Sequence, residues 1–327
     1  MTRRTIWLRL DPSFYKRGAN YALSASHRKL ALLLSIVARE HPKFVVLDVG
    51  GNNKTNGTKR DPLRSFFRRV VHKPCRKSGC TTWILVSSVR AGGADGSPRR
   101  WGNLLLPPAL VARSKGHILP ASSVAPIGTY SGYQRSIATA TRFNNYSGSG
   151  SHVLFNAAVV AAAVMNRDTN TLTRIRKEEN RLRPALKTRL PPTKYPYEPL
   201  GTERVFYLWR ESSMCGNGLA CLDASGMLEV GDSPRVLAPL VNAGVFIGPG
   251  LDSPGAIGDI HASPLGLMSG TVLLLNAFRT LRTGGVKDFP FQYALIGLLG
   301  LVSVLSAEKK NWENMTLAAS WLLSFGT

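Results

Sequence analysis

The stretch that most constrains the fold of this chain runs from Pro239 to Phe278. It opens on Ala243–Ile247, a short apolar run with the β-branched content of a buried strand. Gly248-Pro249-Gly250 and Asp252-Ser253-Pro254 then break the run with turn chemistry. After a short step around Ile257–Ile260, Ser263 or Ser269 caps an apolar helix through Phe278. A strand, a polar loop at its carboxyl end and a following helix make the repeating unit of parallel α/β sheets.

The same unit recurs near the amino terminus. Ser24 or Ser26 starts a helix through Ala38, with Leu30, Leu33, Leu34 and Val37 on one stripe, and His41-Pro42 stops it. Phe44–Val49 is continuous enough to be a strand buried on both faces, and Gly50-Gly51-Asn52-Asn53 follows it. Asp61-Pro62 begins a helix over Leu63–Val71, and Thr81–Val89 reads as the next strand. Val153–Met165 and Asn170–Leu190 predict two helices of a projecting hairpin, the second ended or kinked at Pro184. Arg204–Trp209 and Leu219–Asp223 read as strands, with a short helix over Ser233–Val241. The predicted fold class is therefore α/β: a wound, mostly parallel sheet of Rossmann or flavodoxin type with an inserted helical hairpin. Its organisation is a basic arm (1–24), a first half of the α/β body (25–115), an insertion with hairpin and linker (116–200), a second half (201–282) and an apolar extension (283–327).

Charge constrains function. The formal net charge is +23, and it is unevenly placed. Residues 1–115 carry a net +18 and residues 116–210 a net +8, whereas residues 211–327 carry −3. Such a field favours a polyanion, with nucleic-acid phosphates ahead of an anionic membrane surface. The densest patch surrounds the Leu63–Val71 helix: Lys59, Arg60, Arg64, Arg68, Arg69, Lys73, Arg76 and Lys77 accompany a lone Asp61. Arg64 and Arg68 share a face at i, i+4, a repulsion of a few tenths of a kcal/mol that an anionic partner relieves. Arg99, Arg100 and Trp101 in the loop after the second strand, and Arg174, Arg176 and Arg181 on the hairpin, extend this phosphate-binding set, with Lys177 and Arg183 also facing outward there. In the first twenty residues, Arg3, Arg4, Arg9, Lys16 and Arg17 alternate with Trp7, Phe14 and Tyr15, which suits phosphate contact with base stacking.

Other chemistries have weaker support. The Gly50–Gly57 loop matches neither the P-loop nor the dinucleotide fingerprint. The six histidines are scattered, and no metalloprotease, serine-hydrolase or close-carboxylate motif is present. Asp48, Asp223 and Asp252 each stand at a strand end, where α/β enzymes place acids, but capping is the simpler expectation. Cys75, Cys80, Cys215 and Cys221 have loose spacings for a zinc site and read as free thiols in a reducing compartment. The first residues lack the apolar core of a secretory signal. Ala262–Phe278 and Tyr293–Ala307, at 17 and 15 residues, fall short of the ~20 apolar residues of a spanning helix.

The order of these pieces resembles the universal small-subunit ribosomal protein of the S-two family, over roughly residues 25–115 and 200–282. Phe44–Asn53 stands for that family's first strand and loop, and Leu63–Val71 for its basic helix. Arg100-Trp101-Gly102 stands for its Arg-Trp motif, Leu219–Asp223 for a strand ending in Asp, and Ala243–Pro254 for the last strand. Asn103-Leu104-Leu105 and His261–Pro264 depart from the family's motifs in the manner of organellar members. The resemblance implies a non-catalytic constituent of a mitochondrial small ribosomal subunit, resident in the matrix. Its partners would be rRNA and neighbouring ribosomal proteins, with no cofactor, metal, small-molecule substrate or membrane. The alternatives are a membrane-associated subunit of an organellar complex and an α/β enzyme acting on a phosphorylated ligand.

Overall fold

The computed structural model describes residues 5–17, 23–49, 61–72, 80–87, 110, 113–114, 117–123, 136–144, 151–187, 198–205, 210–211, 214, 220–231, 233, 237–254, 260–284 and 297. Nearly all of them belong to one compact unit, Met1–Gly128 with Gly132–Gly285. A second unit, Thr129–Ser131 with Val286–Thr327, lies almost wholly outside the described residues.

A six-stranded, all-parallel sheet forms the centre of the first unit. Its strands are β1 (Thr5–Leu10), β4 (Phe44–Leu47), β5 (Thr82–Ser87), β6 (Ile118–Ser122), β10 (Ala220–Asp223) and β11 (Gly244–Pro249), in the spatial order β10-β1-β11-β4-β5-β6. The register sets Trp7 beside both Cys221 and Phe246, and Val46 beside both Phe246 and Ile84. This is the α/β class that the strand–loop–helix pattern predicts.

Alternation along each strand feeds two separate cores, as a pleated strand buried on both faces must. Ile6, Leu8, Val45, Leu47, Trp83, Leu85, Val245 and Ile247 face one layer, which holds α1 (His27–Arg39), α2 (Pro62–His72) and α5 (Ala224–Val230). Trp7, Phe44, Val46, Ile84 and Phe246 face the other, which holds α3 (Ala157–Asn166) and α6 (Gly270–Arg282). Each core has an aromatic trio. Phe66, Phe67 and Trp83 meet edge to face at 5.0–5.5 Å, and Phe44, Phe246 and Phe278 meet at 5.3–5.7 Å. Such pairs add roughly 0.5–1.5 kcal/mol each beyond the area they bury.

Local sequence sets the helix boundaries. Ser26 caps α1 by accepting from Lys29 N, Asp61 caps α2 by accepting from Leu63 N, and Asn156 caps α3 by accepting from Ala158 N. Beyond α3, α4 (Thr169–Lys187) packs on α3 and β8 (Ser151–Phe155). β8 belongs to a small antiparallel sheet with β7 (Ser136–Asn144) and β9 (Glu198–Arg204). Two hairpins complete the unit, β2 (Tyr15–Arg17) with β3 (Leu23–Ala25) and β12 (Ile260–Ser263) with β13 (Gly266–Ser269).

Several expectations are corrected. The basic arm is instead an inner strand: Trp7 and Phe14 are core residues, so neither is available to stack on a base. The segment 116–200 is no mere insertion, because β6 extends the sheet and α3 covers one of its faces. The helix expected over Val153–Met165 starts only at Ala157, its first residues forming β8. β9 ends at Arg204, so most of the strand expected over Arg204–Trp209 lies outside the described residues, and of the helix expected over Ser233–Val241 the described residues show Leu237 helical and a 3-10 turn at Ala238–Leu240. Ala262–Phe278 is a hairpin arm followed by α6, and no helix among the described residues is long and apolar enough to cross a membrane. Cys80 and Cys221 are both disulfide-bonded, which overturns the free-thiol expectation for these two.

Candidate active site

All six strands end at one edge of the sheet, and the chain leaves that edge in two directions. After β1, β4 and β10 the next helices, α1, α2 and α5, lie on one face; after β11, α6 lies on the other. β11 sits between β1 and β4, so the topological switch points lie where its carboxyl end meets theirs. Open α/β sheets bind ligands at such switch points, because diverging loops leave a cleft over the strand ends.

Charged side chains converge there from distant parts of the chain. Arg9 Nε donates to Asp223 Oδ1 at 2.7 Å, and Arg9 Nη1 lies 3.3 Å from Asp252 Oδ2. The guanidinium thus bridges the ends of β10 and β11 across β1. The hydrogen bond to Asp223 raises the already high Arg9 pKa, against desolvation acting the other way. Both carboxylates remain half exposed, so each has surface left for a ligand. A Cβ on Gly250 would come within 2.9 Å of Arg9 Cδ and 2.8 Å of Asp252 Oδ1, so a bare backbone lets the guanidinium lie across this loop.

Three more acids fix the loops around the switch points. Asp11 accepts from Ser13 N at 2.8 Å and from Ser225 N at 3.2 Å, joining the end of β1 to the start of α5. Burial works to raise the Asp11 carboxyl, but the hydrogen bonds from Ser13 and Ser225 outweigh it and hold the pKa below the ordinary value. Asp48 accepts from Thr271 Oγ1 at 2.8 Å, tying the end of β4 to the first turn of α6. Gly248 makes that approach feasible: a Cβ there would sit 2.0 Å from Thr271 Oγ1 and 2.9 Å from the Asp48 carbonyl oxygen. Glu211 accepts from Leu251 N and, at 2.7 Å, from Ser269 N, so one carboxylate caps both the loop after β11 and the entry to α6. The Tyr15 hydroxyl is buried beside Ser253; desolvation raises its pKa, and it stays protonated.

A second group stands on the same edge, where α1 and α2 begin. His27 Nδ1 lies 3.0 Å from Asp61 Oδ2, and Arg64 Nε lies 3.7 Å from the same oxygen. With Asp61 as acceptor, Nδ1 carries the hydrogen and Nε2 is left as the working nitrogen. The α1 start is fastened to the end of β1 by Ser26 N donating to Phe14 O at 2.6 Å and Lys29 Nζ donating to Ser13 O at 2.8 Å. An imidazole oriented by a carboxylate, beside a cation, is an arrangement capable of acid–base work on an anionic substrate. Among the described residues, no group of three or more His, Cys, Asp or Glu is placed to hold a metal ion.

The sequence-predicted residues divide three ways. Asp48, Asp223 and Asp252 share the carboxyl edge. Arg64 belongs to the His27–Asp61 group, while Arg68 and Arg69 are exposed further along α2, and Arg174, Arg176 and Arg181 are exposed on α4. Lys59, Arg60, Lys73, Arg76, Lys77, Arg99, Arg100 and Trp101, and the Gly50–Gly57 loop, lie outside the described residues. Sequence reasoning placed Arg9 on a basic arm rather than at this edge, and it missed Glu211 and the His27–Asp61 pair. An available signal was the apolar triplet Ile6-Trp7-Leu8, which marks Arg9 and Asp11 as a strand end. No family model matches the chain, nor does any curated protein or solved structure.

Proposed function

We propose that the chain is an α/β enzyme that binds a phosphorylated, nucleotide-like ligand at the carboxyl edge of its sheet, with His27 as the acid–base group. The observation that carries this reading is the pairing of His27 with Asp61 and Arg64 on the edge that also holds the topological switch points. The two ends of such a ligand suit different parts of the edge. Phosphate is favoured by Arg64 and by the amino-terminal poles of α1 and α2. Sugar hydroxyls suit Asp223 and Asp252, whose carboxylates Arg9 orients.

A thermal-shift panel of nucleoside mono-, di- and triphosphates and dinucleotides tests it. A ligand at 100 times its Kd adds about 2.7 kcal/mol, which in a domain of this size raises Tm by roughly 4–5 °C. Arg9→Ala is expected to lose the shift; His27→Ala is expected to keep the shift and lose turnover. A flat panel, or an Arg9→Ala variant that binds as the wild type does, would overturn the reading.

A second reading is favoured by the exposed Arg68 and Arg69 on α2. In it the chain is a non-catalytic, rRNA-binding constituent of a mitochondrial small ribosomal subunit. Sedimentation of organelle lysates with and without RNase separates the two: RNase-sensitive co-migration with the small subunit supports the ribosomal reading, and RNase-insensitive migration with smaller complexes opposes it.

A further inference from the structure

We infer that the outer face of α4 is a separate docking surface for the phosphate backbone of a single-stranded nucleic acid, independent of the carboxyl-edge site. α4 has 19 residues and is therefore about 28 Å long. It is anchored from one side: Ile175 is buried, Leu172 packs on the core that α3 and α6 share, and Glu179 is 5% exposed. Arg174, Arg176, Lys177 and Arg181 are all exposed. Arg174, Lys177 and Arg181 follow an i, i+3, i+7 stripe, with axial rises of roughly 4.5 and 6 Å between successive cations.

Among the described residues, acids offset this face only in part. Glu179 is turned inward, and Glu178 is mostly covered and engaged by Arg181 Nη1 at 2.8 Å. The Arg174 guanidinium lies 5.9 Å from the Phe155 ring centroid, which holds that cation in place without neutralising it. Glu178 offsets Arg181 alone, so the face keeps a net positive charge whose repulsion a polyanion removes. A membrane surface fits poorly, because interfacial helices insert an exposed apolar face. Leu172 and Ile175, the apolar residues of α4 whose side chains are described, already pack inside.

The test is fluorescence anisotropy of a labelled 20-nucleotide oligo(U) with the full chain over a salt series. Loss of two backbone contacts in a K177Q/R181Q variant is expected to reduce the slope of log K against log salt by about 1.4. Affinity should fall more than tenfold near 100 mM salt, with Tm unchanged. The single exchange Lys177→Glu, at an exposed position, is expected to move both quantities in the same direction. An unchanged slope in both variants overturns the inference. So does loss of binding in R68Q/R69Q while the α4 variants bind normally, and so does competition by phosphatidylserine vesicles but not by unlabelled RNA. Nucleotide thermal shifts of the α4 variants should match the wild type, so failure of this surface and failure of the carboxyl-edge reading remain separate results.

Discussion

The carboxyl edge of the sheet and the outer face of α4 handle charge in opposite ways. At the edge, Asp11, Asp48, Asp61, Asp223, Asp252 and Glu211 collect from across the chain, and each already answers a donor or a cation within the protein. On α4, cations gather within eight residues, and what opposes them is covered or spent. The edge is organised by its own fold and is therefore rigid enough for chemistry. The helix face relies on what it can recruit from solution. A chain of net charge +23 thus separates a self-satisfied acidic edge from an unbalanced basic surface.

The hardest way to break the contrast is to damage the edge itself. In Gly248→Val the new side chain meets Thr271 and the Asp48 backbone, contacts too close to persist. Overpacking of this kind costs about 3 kcal/mol, or roughly 5 °C in Tm in a domain of this size. Arg176→Gln on α4 should move Tm by about 1 °C or less, since an exposed exchange is worth at most ~0.5 kcal/mol. Thermal unfolding of the two proteins side by side makes the measurement; equal Tm values would mean that Thr271 and α6 do not close over Gly248 in solution.

A smaller effect is expected at the Arg9 bridge. A double-mutant cycle of Arg9→Met and Asp223→Asn isolates their coupling. Both side chains are substantially exposed, so solvent screening limits it to ~0.5–1 kcal/mol. Urea midpoints for the four proteins at low and high salt check this, with the coupling shrinking as salt rises. A coupling of zero at low salt would leave Arg9 as an ornament of the edge and remove the support it gives to Asp223 and Asp252 as ligand contacts.

These two regions also explain what the sequence could disclose. The α4 cations lie at helical spacing in one segment, so periodicity alone reveals their shared face. The β4, β5, β10 and β11 strands are legible for a similar reason, each being a short apolar run with a turn after it. The edge is not local. Arg9 and Asp223 are 214 positions apart, and Asp48 and Thr271 are 223 apart. Arg9 was further disguised because β1 lies among Arg3, Arg4, Lys16 and Arg17, whose charge suggests a solvated arm although Trp7 is 1% exposed. His27 and Asp61 each read correctly as parts of a helix start. Only the packing of α1 against α2 makes them a pair. Spatial order is equally hidden: nothing in β11 itself shows that it inserts between β1 and β4, and that insertion creates the switch points.

The finest test of the contrast uses protons. Asp11 at the edge and Asp168 at the start of α4 both have pKa values held below the ordinary one, the first by Ser13 and Ser225 against burial, the second chiefly by the Thr171 hydroxyl. A carboxyl depressed in the folded state contributes stability above its unfolded pKa of about 3.9. That contribution is lost as pH falls through the lower folded value. Both acids should therefore make the protein less stable from about pH 5 downward, and neither should change stability between pH 6 and 8. Their reach differs. Asp11 links β1 to α5 through Ser225, 214 positions away, whereas Asp168 bonds only Asn170 and Thr171 in its own helix turn. Asp11→Asn should flatten the acid limb of the global unfolding midpoint more than Asp168→Asn does. The Asp168 exchange should appear instead as faster amide exchange in the first turn of α4. If the two substitutions flatten the acid limb equally, long-range bonding at the edge gives no more stability than a local cap, and the edge loses its claim to be the rigid part of the molecule.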